Sequence, residues 1–257
     1  MKTFKSFLTI VNLQTFIVII LSVIATYFCR IYDITSKFPL TLIGIAVVFP
    51  LVFSINSAYR RREIALKHYA NLKGNGRAIF FASRDWIENP DAIKQLELKS
   101  ELENLFFEIN KYLHLKIKED QKSESQVLVA FRKLSMAIKD FRAQGMPSGE
   151  VSRSNQYLSK MLISFEELKH IDQYRTPLTL RSYSKVFINI LPIIYGPYFA
   201  EVTSDESLWL AFVLPVLFSL ILVSLDNIQE HLENPFDNVG EDDVSINAKK
   251  FSAGLDT

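Results

Sequence analysis

Charged side chains are absent from four stretches of the chain, residues 6–29, 38–59, 186–200 and 207–225, and a long polar segment separates the second stretch from the third. The 22 uncharged residues from Phe38 to Tyr59 would rise about 33 Å as a helix, enough to cross a hydrocarbon core of roughly 30 Å. Arg60, Arg61 and Arg62 end this run abruptly, as the positive-inside rule expects where a span meets the cytoplasm. Within it Ile45, Phe49 and Phe53 recur at a spacing of four, so they form one gently drifting stripe. Such a stripe faces lipid, a neighbouring helix or a hole, and Gly44 and Pro50 lie beside it.

The other uncharged runs complete the pattern. Residues 6–29 are too long for the apolar region of a signal peptide and precede no small-residue cleavage site, so they are expected to remain as a first membrane helix. Residues 186–200 are short for a span and carry Pro192, Gly196 and Pro197. This third helix must therefore borrow from the preceding RSYSK or be kinked. Residues 207–225 form a fourth, with Pro215 inside. The connector EVTSDES between the last two has acids and no base, the composition of a loop on the outer side.

Between Arg60 and Lys185 the polar segment has helical periodicity. Leu98, Leu102, Leu105, Ile109 and Leu113 recur at spacings of three and four, as do Val127, Phe131, Leu134, Ile138 and Phe141. These are the apolar faces of bundle helices. KEDQKSESQ reads as a connection or a solvated helix end, and the Gly145, Pro147 and Gly149 of residues 143–149 as the clearest break. A further helix is predicted from about Ser152 to Gln173. Past residue 225 a helix should leave the membrane and stop at Glu233, before Asn234 and Pro235.

The expected fold is therefore all-α, a polytopic membrane protein with four transmembrane helices and a helical cytoplasmic domain. Residues 1–59 carry the first two spans, 60–185 the cytoplasmic domain, 186–225 the last two spans and 226–257 an acidic tail. Four spans return both termini to the cytoplasmic side of the cell (inner) membrane. Composition agrees: 49% of residues are hydrophobic and mean hydropathy is +0.13, a mixture of lipid-facing and water-facing parts. The net charge of +1 hides a polarity, since residues 60–185 have 23 Lys and Arg against 16 Asp and Glu, and residues 226–257 have 2 against 8. The bases are interleaved with acids, which argues against nucleic acid as a partner.

Little in the sequence suggests enzyme chemistry. There is no His-Glu-x-x-His, glycine-rich phosphate loop or Gly-x-Ser-x-Gly, and His68, His114, His170 and His231 are far apart. EHLEN at 230–234 reads as a surface helix end rather than a metal site. Cys29 is the single cysteine, so no intrachain disulfide forms. No enzyme activity, cofactor or catalytic residue is expected.

Three separated segments resemble the bestrophin family of ion channels. They are LENPF and the acidic stretch after the last apolar run, FSINSAYRRREIALKHYANLKGNGRAIF after the second, and RTPLTLRSYSKVFINILP entering the third. The resemblance implies a homopentamer in the lipid bilayer with one pore on its axis, conducting small inorganic ions, chloride most typically. It also implies a pore neck lined by three apolar residues of the second helix, which fall on Ile45, Phe49 and Phe53. Asn234, Pro235 and Phe236 match the signature after the last helix. In calcium-regulated relatives an unbroken acidic run follows this signature at once. Here residues 237–240 intervene before Glu241, Asp242 and Asp243, a spacing more like the bacterial branch, where the clasp is absent. No metal is therefore expected, and those three residues stand as weak calcium candidates. Two other readings stay open. One is a monovalent cation channel of the same fold, because an apolar neck does not choose the sign of the ion. The other is a membrane-anchored helical scaffold, for which prolines in two spans and an aromatic stripe in a third would have no use.

Overall fold

The structure is a computed structural model and describes residues 11–37, 41–114, 121–174, 178–204, 208–236 and 243–256. Every regular element among them is a helix: α1 (Leu13–Ile31), α2 (Thr41–Asp85), α3 (Ala92–His114), α4 (Gln121–Ala143), α5 (Ser148–Gln173), α6 (Leu178–Ile194), α7 (Gly196–Val202), α8 (Leu208–Glu233) and α9 (Ala248–Ala253). The chain divides into two compact units, residues 1–60 with 175–234, and residues 61–174 with 235–257.

In the first unit α1 packs on α6, α7 and α8. Val18, Val47, Leu51, Ile188, Leu191, Tyr195, Phe199, Leu222 and Val223 make its apolar core. Asn12 caps α1, its side chain accepting from the Thr15 N–H while the Thr15 hydroxyl accepts from the Asn12 N–H, so two otherwise unpaired donors are satisfied together. Among the described residues three helices are long and apolar enough to cross a membrane: α1, α2 from Ile43, and α8 from Trp209. The expected third span is divided instead. It begins at Leu178, taking in RSYSK, and breaks at Tyr195 into a helix of 17 residues and one of 7.

Proline and glycine cause that break, and polar groups on neighbouring segments compensate it. Pro197 has no N–H to offer the preceding turn. The Ser22 hydroxyl of α1 donates to the Pro192 carbonyl at 2.8 Å, and the Ser36 N–H to the Pro197 carbonyl at 3.3 Å. Gly196 lets α7 approach α1 closely, because a Cβ there would stand 3.2 Å from the carbonyl carbon and 3.3 Å from the oxygen of Ala25. Backbone cannot yield as a flexible side chain can. Gly196→Val is accordingly expected to push α7 off α1 and sharply reduce the yield of properly folded protein, whereas Gly74→Ala, whose Cβ would meet nothing within 4 Å, leaves it unchanged. Size-exclusion chromatography in detergent reads the difference.

The second unit is a helical bundle, with α3 packed on α4, α5 and α9, and α4 on α5. Both predicted stripes are its core: Leu102, Leu105, Ile109, Val127 and Leu134 are wholly buried. Helix α5 starts at Ser148, four residues before the predicted start, directly after Pro147. Gly145 turns the chain between α4 and α5 with φ of 92°, a conformation that favours glycine. Lys169 bridges α5 to the first turn of α4, donating to Glu124 at 2.7 Å. That bond holds its ammonium well above the usual lysine range against the opposing effect of burial, and Glu166 adds to it.

Candidate functional site

Helix α2 does not end at the arginines. It runs unbroken for 45 residues, through Pro50 and on to Asp85. The arginine triplet marks a change in composition, and the helix continues because its packing continues. Leu51, Ala58, Ala65, Leu72 and Ile79 recur every seven residues and all are wholly buried. Such a repeat keeps one seam turned toward neighbouring helices along the length of a helix.

The opposite face carries the predicted stripe. Ile45, Phe49 and Phe53 are 56%, 61% and 57% exposed, while Val47, Leu51, Ser54 and Ala58 are no more than 2% exposed. Phe49 and Phe53 touch edge to face, with ring centroids 4.8 Å apart and planes at 84°. This is the favoured geometry for two aromatic quadrupoles. The structure therefore brings the stripe together on one side of the helix and leaves more than half of each of its residues exposed.

Tyr195, at the break between α6 and α7, was not evident from the sequence. It stacks on Phe218 at 4.9 Å and meets Phe199 at 5.8 Å. Its oxygen lies against the backbone of Gly44. A Cβ on residue 44 would lie 2.9 Å from that oxygen. Gly44 thus sits beside the stripe because an aromatic anchor is seated there.

The three arginines differ in their surroundings. The Arg61 guanidinium donates to the carbonyls of Ile171 and Tyr174 at the end of α5, where a cation also complements the helix dipole. Arg62 pairs with Glu63 at 2.9 Å. Arg60 is exposed, with no hydrogen bond or ion pair to another described residue.

The tail signature is structural. Helix α8 stops at Glu233, with Asn234 half-buried beyond it. The Pro235 carbonyl accepts from the Val244 N–H at 2.8 Å, and Phe236, 1% exposed, enters the core of the second unit. Of the calcium candidates, Glu241 and Asp242 fall outside the described residues, and Asp243 is half-buried. Among the described residues no three His, Cys, Asp or Glu are grouped so that they could hold a metal ion. A cleft of about 730 Å³ in the second unit, walled by Ile87, Leu98, Met136 and Phe141, includes none of the predicted site residues.

No protein-family model and no curated protein matches the sequence. Solved structures do. A bacterial bestrophin homologue from Klebsiella pneumoniae, phased with zinc, superposes with a TM-score of 0.77 at 16% identity, over 94% of this chain and 96% of that one. The chain has the bestrophin fold. A point variant of the same bestrophin homologue gives a TM-score of 0.76 at 17% identity, and a variant described only as a membrane protein gives 0.80 at 13%; each covers 95% of this chain and 98% of the other. At such identities the bestrophin likeness rests on architecture.

Proposed function

We propose that the chain is one subunit of a homopentameric, multi-pass membrane channel that lets chloride and other small anions move passively down their gradient. Ile45, Phe49 and Phe53 form the neck of its pore. The observation that carries this reading is their common exposure on a helix whose opposite side is closely packed. Such a face needs something outside the single chain to cover it, and equivalent faces from other copies around an axis would do so. Five copies stack three apolar rings. A ring too narrow and too apolar to hold water excludes ions as well, so small movements of these side chains open and close the path. Both termini and the second unit lie on the cytoplasmic side, as the basic segment after Tyr59 favours.

The bestrophin fold supports a channel over a tether. A scaffold would need apolar spans but no bare aromatic stripe within one of them. Reconstituted protein in a planar bilayer under a KCl gradient is expected to reverse near the chloride equilibrium potential. Reversal near the potassium potential would overturn the anion assignment, and absence of any current over a range of voltage, pH and calcium would overturn the channel. Native mass spectrometry in detergent should give five copies.

A further inference from the structure

We infer that Arg60 forms a second site on the conduction path, a ring of guanidinium groups just inside the neck that concentrates anions and sets the sign of the conducted ion. The inference rests on the neck reading above and adds a residue that the apolar stripe does not include. At 100° per residue, Arg60 falls about 20° from Phe49 and about 20° from Phe53, between the two directions. It stands seven residues after Phe53, about 10 Å further along the helix. Helix α2 is continuous across this stretch, and the buried positions Leu51 and Ala58 hold its opposite side. No rotation between Phe53 and Arg60 is available that would separate their faces. Whatever axis the phenyl rings surround, Arg60 turns toward it as well.

The neighbouring arginines show why this one differs. Arg61 is committed to the Ile171 and Tyr174 carbonyls, and Arg62 to Glu63. Glu63, the nearest acid along the helix, is thereby already partnered. Arg60 is exposed and makes no ion pair with a described residue. A guanidinium is always charged, weakly hydrated and well suited to small anions. Five of them around a common axis raise the local anion concentration and repel cations within a Debye length, about 8 Å at physiological ionic strength. An apolar neck is indifferent to sign, so the adjacent charge decides it.

Reversal potentials in planar bilayers under a KCl gradient test this, using the full-length protein. Arg60→Gln is expected to lower the anion-to-cation permeability ratio on the order of tenfold. Arg60→Glu should carry the reversal potential to the cation side, and Arg60→Lys should retain anion selectivity. Arg62→Gln removes the same formal charge from the adjacent Arg62–Glu63 pair and should behave as wild type. The wild-type preference should also weaken as salt rises, which a merely structural arginine would not produce. An Arg60→Glu channel that reverses like wild type overturns the inference. If Phe49→Ala still changes conductance in that case, the neck stands and Arg60 lies off the path; if neither substitution has an effect, the neck falls with it. A wild-type protein that prefers cations also overturns it.

Discussion

Replacing Ile45, Phe49 and Phe53 together with alanine is expected to leave the channel open at all times. In the proposed pore each substitution would remove most of an apolar side chain from a ring of five, so three constrictions would widen at once and water could fill the passage continuously. If the proposed neck gates by dewetting, the variant would have no dry state to return to. The substitutions should cost little folding stability because all three side chains are more than half exposed in the subunit, where truncation rarely exceeds about 0.5 kcal/mol. Altered current therefore reports on the passage rather than on the fold. Single substitutions should have smaller effects, with Phe53→Ala also freeing Phe49 from an edge-to-face contact worth about 0.5–1.5 kcal/mol. Steady flux from liposomes well above that of wild type is the expected result. A triple variant that assembles normally and conducts like the parent removes these residues from the neck.

The largest loss of stability is expected from Phe165→Ala in the second unit. Phe165 is wholly buried, with ring centroids 5.7 Å from Tyr112 and 6.0 Å from Phe131. It therefore joins α5 to α3 and α4 at one point. Truncation removes a phenyl ring and leaves a void that three helices cannot close, at a cost of about 3–5 kcal/mol. For a chain of this size that corresponds to a fall in melting temperature on the order of 10 °C. Phe107→Ala serves as the comparison, since Phe107 is 55% exposed on the neighbouring turn of α3 and should shift the transition by only a degree or two. Calorimetry of the detergent-solubilised protein distinguishes them, and similar melting temperatures for the two variants would contradict the described core.

The bundle faces were legible in the sequence because their signal is local. Leu98 to Leu113 and Val127 to Phe141 repeat at helical spacing within a polar background, and burial follows that spacing closely. The end of α8 at Glu233 was equally plain, since Asn234 and Pro235 are strong stop signals. The continuation of α2 past Arg60 was harder to see. An uncharged run registers lipid thickness, and beyond it the composition turns polar although the helix does not change. What continues is a seam at spacing seven, two of whose members, Ala58 and Ala65, are too small to stand out. The seat of Tyr195 against Gly44 was not readable either, because it joins residues far apart in the chain. Nor could sequence alone separate Arg60 from Arg61 and Arg62. That distinction depends on which carbonyls and carboxylates the fold brings within reach.

The packing of the tail has a consequence for biosynthesis. Phe251 stacks on Phe106 with ring centroids 4.0 Å apart, beside a Gly76 that leaves room for it, and Leu255 and Phe236 are buried in the same core. Residues 61–174 leave the ribosome well before these partners do, and α6, α7 and α8 are made in between. The bundle must then wait, with the seats for three apolar side chains vacant, until the last apolar helices have been translated. A nascent chain halted within α8 would carry an unsealed hydrophobic cleft, the kind of surface that chaperones and quality-control proteases bind.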